Sequence, residues 1–391
     1  MIYDFDTPIN RLGTDCEKWD GLGKRFGCSD VIPLWVADMD FPSPQPVVEA
    51  LVARAMHPVY GYPMRGEDYY DSFIAWEKRR NGWDVSPEWI DFVPGVVCGV
   101  GAALMGFTSP GDGVLIMPPV YHPFRNTANA QGRRVVNSPM KLVGKRFEID
   151  FDDLEAKARE CRAMILCNPH NPTGRAFTLD ELLRIEEICR RYGIFVISDE
   201  IHSDLIFKGY RHIPFATVSC WAREHSVTLM APSKTFNVAG LTASILIAPN
   251  AQIRAQMKRI VGGWMHVNGG NIFGLTASRA AYAEGEEWFT QMMEYLEGNV
   301  DFLESELEKR IPGVRLIRPE ATYIPLIDCR GLGLGEDALQ AFMLEKVKAA
   351  MNPGVLFGVE GEGFCRINLG TQRTNLAEFV DRLEKALPQL S

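Results

Sequence analysis

With 391 residues, 46% of them hydrophobic and 23% charged, the chain is long enough to bury a large core without disulfide or metal staples and too apolar to remain disordered. Its 41 Lys and Arg against 50 Asp and Glu leave a formal charge of −9, so the basic footprint of a polynucleotide binder is missing and no nucleic-acid partner is expected. The nine cysteines stand singly, with no C-x-x-C pair and no zinc-like His spacing; they read as reduced core thiols, and no metal site is predicted.

In chain order, the N-terminus Met1-Ile2-Tyr3-Asp4-Phe5-Asp6 is acidic where a secretory signal needs a basic start, and a cytoplasmic chain is expected. The first sixty residues are dense in Pro, Gly, Asp and Trp, with Trp35-Val36-Ala37-Asp38-Met39-Asp40-Phe41-Pro42 as their compact apolar stretch; they read as an arm over a larger body. From about residue 90, short apolar runs alternate with helical patterns, the texture of repeated βα units. Strands are predicted at Gly113–Met117, Ala163–Cys167, Ile194–Ser198, Ser226–Met230 and Ala243–Ile247, and their unbroken apolar character implies a mainly parallel sheet covered on both faces. Between them, Leu179 to Tyr192 keeps Leu182, Ile185 and Ile188 on one face, with Thr178 and Glu181 spaced as a capping box and Gly193 as the stop. A long helical stretch from about 277 to 310 is followed by Pro312-Gly313, then by helices near 336–350 and 375–387, which suggests a second, smaller α+β unit. The apolar windows at 92–107 and 241–249 are too short or too broken by Gly and Pro to span a membrane, so no membrane partner is expected.

Three predicted strands run directly into polar residues that stability does not require there. Leu166-Cys167 leads into Asn168-Pro169-His170-Asn171-Pro172-Thr173-Gly174, Ile197-Ser198 into Asp199-Glu200-Ile201-His202, and Leu229-Met230 into Ala231-Pro232-Ser233-Lys234. Ligands of open α/β sheets bind outside the carboxyl ends of parallel strands, so these segments converge on one site. A lysine, a carboxylate, an amide and a hydroxyl together match the needs of pyridoxal phosphate, which takes a Schiff-base lysine and an acidic partner for its ring nitrogen. Lys234 fits the first role and also that of proton-transfer base, Asp199 fits the second, and Asn171 is placed to donate to the ring hydroxyl. For the phosphate, Pro94-Gly95-Val96-Val97 is a glycine-marked turn leading into a small-residue helix, which makes the amides of Val96 and Val97 candidates beside the Ser233 hydroxyl. Gly99-Val100-Gly101 lacks the third glycine of a dinucleotide fingerprint, because Leu104 stands there. His122 and His170 read as structural histidines, Trp19 and Trp35 as packing residues.

Taken together with Lys18-Trp19-Asp20, Trp35 to Phe41, Gly61-Tyr62, Pro119-Val120-Tyr121-His122-Pro123-Phe124, Ser233-Lys234-Thr235-Phe236-Asn237 and Arg366-Ile367-Asn368-Leu369, these motifs resemble the fold-type I pyridoxal phosphate enzymes. The closest likeness is to the MalY/PatB group of cystathionine β-lyase-like C–S lyases. The resemblance spans nearly the whole chain and implies an α/β fold, with a large cofactor domain at 46–285 on a seven-stranded, mostly parallel sheet. A small domain would form from 1–45 and 286–391. It further implies Tyr121 stacked on the cofactor ring, Arg366 on the substrate α-carboxylate, and Tyr62 reaching the phosphate of the neighbouring subunit in a homodimer. The implied activity is α,β-elimination of cystathionine or another cysteine S-conjugate to a thiol, pyruvate and ammonia. The alternatives are an aminotransferase and a regulatory binding protein with secondary lyase activity. Two positions depart from the wider superfamily: His202 stands where a tyrosine is usual, and Thr242 where many relatives place a phosphate-binding arginine.

Overall fold

The expected apolar runs become the interior of one sheet. In the computed structural model, which describes residues 1–267 and 269–390, strands β1 (Ile90–Val93), β2 (Gly113–Ile116), β3 (Arg134–Asn137), β4 (Cys161–Cys167), β5 (Phe195–Asp199), β6 (Ser226–Met230) and β7 (Ser244–Ile247) lie in the order β1-β7-β6-β5-β4-β2-β3. All five predicted strands are present. The two that the sequence pattern missed, β1 and β3, are the two edges, where one flank faces solvent and residues such as Asp91, Arg134 and Asn137 interrupt the apolar run. One strand breaks the parallel rule: β7 runs antiparallel to both β1 and β6.

Helices cover both faces. They include α1 (Gln45–Met56), α2 (Glu67–Asn81), α3 (Val96–Phe107), α4 (Leu179–Tyr192), α5 (Ile272–Glu284), α6 (Glu286–Arg310) and α7 (Arg373–Ala386). The capping box of α4 forms as expected, with Thr178 accepting from the Glu181 amide and Glu181 from that of Thr178, and Gly193 closes the helix in the left-handed region. In α3, Gly99 is a packing glycine: a Cβ there would come within 2.6 Å of Leu229 on β6, so the helix lies closer to the sheet than any side chain would allow.

The stretch expected as one helix from 277 to 310 is instead α5 and α6, separated at Gly285. A Cβ at that position would lie 2.6 Å from the ring of Phe236, so the backbone is pressed against the segment that carries Lys234. The helix expected at 336–350 is also shorter. It runs as Glu336–Ala341 with a wider turn at Phe342–Lys346, after which Ala349–Ala350 is extended and pairs in parallel with Ile32–Pro33 of the arm. A four-stranded antiparallel sheet, β8 (Arg315–Leu316), β9 (Leu326–Asp328), β10 (Asn352–Pro353) and β11 (Phe364–Arg366) in the order β8-β9-β11-β10, completes the C-terminal part. The cysteines need a correction: Cys161, Cys167, Cys189, Cys329 and Cys365 are buried thiols, but Cys16, Cys28 and Cys98 are only half-buried and Cys220 is exposed. No described helix is long and apolar enough to cross a membrane.

The arm segment Trp35 to Phe41 is largely buried yet has neither helix nor ladder to satisfy its peptide groups. Side chains do so instead. Every main-chain carbonyl from Trp35 to Phe41 accepts from a side-chain donor: Asn352 and Arg366 on Trp35, Asn368 on Val36 and Asp38, Lys234 and Tyr323 on Ala37, Asn237 on Met39 and Phe41, and Gln372 on Asp40. Beneath it, the fully buried Lys18 places its Nζ 2.7 Å from Asp40, which also accepts from Trp19 and Arg11; Arg11 forks onto Asp38 as well. Burial alone would raise the Asp40 carboxyl, but Lys18, Trp19 and Arg11 outweigh it and hold the group below the usual carboxylate range. The stability that Asp40 contributes is therefore present at neutral pH and lost as pH falls through that range. Replacing Lys18 with Met strands a buried carboxylate on its remaining partners and is expected to cost about 3 kcal/mol, read as a lowered urea midpoint at pH 7 with a smaller difference at pH 4.

Candidate active site

At the carboxyl ends of β4, β5 and β6 the sheet opens into a cavity of about 220 Å³. Eight of the residues singled out in the sequence line it: Val96, Val97, Tyr121, Asn171, Asp199, His202, Ser233 and Lys234. Asp199 ends β5, and the adjacent Glu200 points into the opposite layer, where it accepts from Ser198, His212 and the Phe215 amide. The alternation of a strand thus separates two consecutive acids, leaving one of them to the cavity. Lys234 lies on a single helical turn, Pro232–Thr235, just after β6, and its Nζ donates to the Ala37 carbonyl at 2.6 Å.

The charged groups here are poorly matched to one another. Burial pushes Asp199 up to about 7, only partly offset by the Ile201 amide that it accepts from and by Lys234. Burial, helped by Arg366, lowers Lys234 to about 8, although Asp38 and Asp199 work against it. Burial also lowers His202 to about 3, and its Nδ1 has no partner. His202 is therefore a neutral imidazole with an unused nitrogen in the cavity wall. Arg366, on β11, is buried; it donates to Asn171 Oδ1 at 3.2 Å and to the Trp35 carbonyl at 3.0 Å, and its Nε finds no acceptor. No carboxylate pairs with this guanidinium among the described residues.

Helix α3 starts at the cavity wall with Gly95 as its N-cap, so its first amides have no intrahelical acceptors and face the site together with the side chains of Ser233, Thr242 and Ser244. An unpaired acid, a lysine of near-neutral pKa, and a helix start ringed by hydroxyls fit the protonated ring nitrogen, carbonyl carbon and phosphate of pyridoxal phosphate. Hydroxyls and amides stand where the superfamily arginine is absent, at Thr242.

Other sequence expectations have definite positions too. His170 is structural, with Nε2 on the Met117 carbonyl and Nδ1 on the Thr173 hydroxyl. Tyr62 is fully exposed and is not part of this chain's cavity. The sequence pattern gave no role to Asp204, whose carboxylate accepts from the Thr235 hydroxyl at 2.7 Å and from Trp76 Nε1 at 2.8 Å. The Thr235 bond ties the turn carrying Lys234 to the segment Asp199 to Asp204 that leads out of β5. The signal that could have found it is the adjacency of both partners to the strand-end motifs of Asp199 and Lys234.

The family model for class I and II aminotransferases matches residues 29–383. The chain belongs to this family. Within it, the chain is 41% identical to cystathionine β-lyase PatB of Bacillus subtilis over 98% of its own length and all of that protein. Among solved structures it resembles cystalysin of Treponema denticola, which contains pyridoxal 5'-phosphate, at 34% identity over the whole of both chains with a TM-score of 0.95. It also resembles a pyridoxal-phosphate-bound C–S lyase of Staphylococcus hominis, at 31% identity over 99% of this chain and 98% of that one, TM-score 0.92. The family's fold is the doubly covered, seven-stranded mixed sheet of β1 to β7.

A buried carboxyl raised to about 7 binds its proton more tightly in the folded chain than in the unfolded one, so its ionisation lowers stability as pH rises from about 4 to 7. In the cofactor-free protein, Asp199→Asn should therefore be more stable than wild type at pH 8, by up to about 4 kcal/mol, and indistinguishable from it near pH 4. Equal denaturant midpoints at pH 8 would show that Asp199 carries no desolvated charge.

Proposed function

We propose that the protein is a pyridoxal-phosphate-dependent carbon–sulfur lyase that converts a cysteine S-conjugate and water into a thiol, pyruvate and ammonia. The observation that carries this reading is a lysine lowered to about 8 in the wall of a cavity of cofactor size, with a buried guanidinium that has no carboxylate partner, Arg366, standing behind the wall and bonded to its Asn171. Such a site accepts an α-amino acid by its two constant groups. The names borne by the similar lyases favour β-elimination over amino transfer as the fate of that amino acid.

Pyridoxal phosphate supplies a carbonyl carbon that captures amino groups and a protonated ring that withdraws electrons from the bonds beside the captured nitrogen. The chain's own residues then divide the work. Asp199, left without a cation of its own, keeps the proton on the ring nitrogen. Val96, Val97, Ser233, Thr242 and Ser244 hold the phosphate; Tyr121 covers the ring face; Asn171 donates its free amide to the ring oxygen. Neutral His202 contributes a hydrogen-bonding nitrogen there rather than the phenol of other relatives. Arg366 holds the α-carboxylate as a planar fork. Lys234 Nζ, lowered to about 8 and so uncharged in an appreciable fraction near neutral pH, removes the Cα proton, and the β-thiolate then leaves. The groups that surround the site are desolvated, so each of these contacts is stronger than it would be in water.

We read the active unit as a homodimer. Met56, Val59, Tyr60, Tyr62 and Met64 form a short run of exposed large apolar side chains, a density that isolated surface residues do not reach. Tyr62 would extend from this run to the phosphate of the neighbouring subunit. In the same reading, residues 46–285 form the cofactor domain, and 1–45 with 286–391 form the small domain that brings Arg366 to it.

The deciding experiment is product identification with cystathionine and other cysteine S-conjugates. Stoichiometric thiol and pyruvate are expected; a keto acid that keeps its sulfur side chain would instead mark amino transfer. Lys234→Ala should lose turnover by many orders of magnitude while its thermal unfolding stays close to wild type. Arg366→Ala should keep the yellow cofactor but lose about 2–5 kcal/mol of carboxylate binding and orientation. That loss is read as a fall in kcat/KM of similar size for every substrate; near wild-type efficiency would move the carboxylate site elsewhere.

A further inference from the structure

Above the cofactor cavity lies a second, larger opening of about 720 Å³, and the two share Ala37, Lys234 and Ala239. Lys234 Nζ thus stands at the floor of an outer groove. With an amino acid held by its carboxylate at Arg366 and by its nitrogen near Lys234, this groove is a space open to the substituent on sulfur.

The charges lining the groove are of two kinds. Asp38 and Asp40 are neutralised where they stand, by Arg11 at 2.8 Å from each and by Lys18 behind Asp40. Asp15 and Glu17 are not: both are exposed at the lip, and neither side chain has an ion-pair or hydrogen-bond partner among the described residues. The loop that presents them is held in place, since the Asp20 carboxylate accepts from the amides of Gly13, Thr14 and Cys16. The field of Glu17 also reaches inward. Burial holds the Tyr121 phenol up against Arg366, with Asp199, Cys167 and, least of these, Glu17 adding to it, and Tyr121 lines the inner cavity. A cationic substituent passing the lip meets two uncompensated negative charges, and an anionic one meets the same charges as a barrier.

We propose that Asp15 and Glu17 are specificity-determining residues of the lyase, selecting cysteine S-conjugates whose sulfur substituent ends in a cation, such as an ammonium group, over those ending in a carboxylate. This rests on the lyase reading. Neither residue touches the reacting atoms; they act on the end of the substrate that the chemistry leaves alone.

The test uses the holoenzyme and three conjugates of similar length: S-(2-aminoethyl)-, S-(2-hydroxyethyl)- and S-carboxymethyl-cysteine, assayed for pyruvate and thiol. Wild type is compared with the double variant Asp15→Asn, Glu17→Gln. Both substitutions keep the side-chain shape, and Asn tolerates the left-handed backbone of residue 15. Leaving-group chemistry cancels when the ratio of aminoethyl to carboxymethyl kcat/KM in wild type is divided by the same ratio in the variant. That quotient is expected to be about tenfold, carried mainly by KM, and to shrink towards one in about 0.5 M salt. A quotient near one at low salt overturns the inference and leaves the lyase reading intact. Absence of pyruvate and thiol from all three conjugates overturns the lyase reading, and this inference with it.

Discussion

The structure depends on a buried stretch of chain that has no secondary structure. Between Trp35 and Phe41 each carbonyl needs a donor, because an unpaired peptide group away from water costs as much as a lost hydrogen bond. The donors come from the far ends of the sequence: Lys18 and Arg11 before it, Lys234 and Asn237 from the turn after β6, and Tyr323, Asn352, Arg366, Asn368 and Gln372 from the C-terminal part. One irregular segment therefore brings together the N-terminal arm, the lysine turn and the small sheet that carries Arg366. The Ala37 carbonyl, shared by Lys234 and Tyr323, is where this scaffold and the chemistry meet.

The cavity shows the opposite pattern. Where the arm satisfies its polar groups, the site leaves Asp199 without a cation, Arg366 Nε without an acceptor and His202 Nδ1 unused. Each is unfavourable in the folded chain and each is a group that the proposed cofactor and substrate would satisfy, so ligand binding and folding would draw on the same interactions. Stability is given up where binding needs it, and the buried network of Lys18, Arg11 and Asp40 stands close enough to hold the surrounding backbone in place.

Much of this was legible in the sequence, and the failures have physical causes. Interior strands announce themselves by unbroken apolar runs, so the core of the sheet and the polar residues at its strand ends were readable; the edge strands were not, β1 because Asp91 breaks a run of only four residues and β3 because most of its surroundings is water. The antiparallel run of β7 leaves no trace in composition, since a strand covered on both faces looks alike in either direction. The break at Gly285 was hidden inside a continuous helical pattern, and the Phe236 ring and Ala281 carbonyl that crowd that position come from packing the sequence does not show. Asn237 and Asn368 were visible as members of the lysine and arginine motifs, but their work, closing the carbonyls of the arm, depends on contacts almost 200 or more than 300 residues apart in sequence.

Gly285 also makes a mechanical link. The ring that occupies the space of its missing side chain belongs to Phe236, two residues beyond Lys234 and on the same tight turn that Asp204 anchors through Thr235. The joint between two long helices thus lies against the residue that closes the turn of the reactive lysine. A side chain at this joint would have to displace either the Ala281 carbonyl or the Phe236 ring, so glycine here keeps the seat of the lysine turn although nothing from the joint enters the cavity. A residue remote from the cavity thus fixes how closely the helices can approach the turn that carries Lys234.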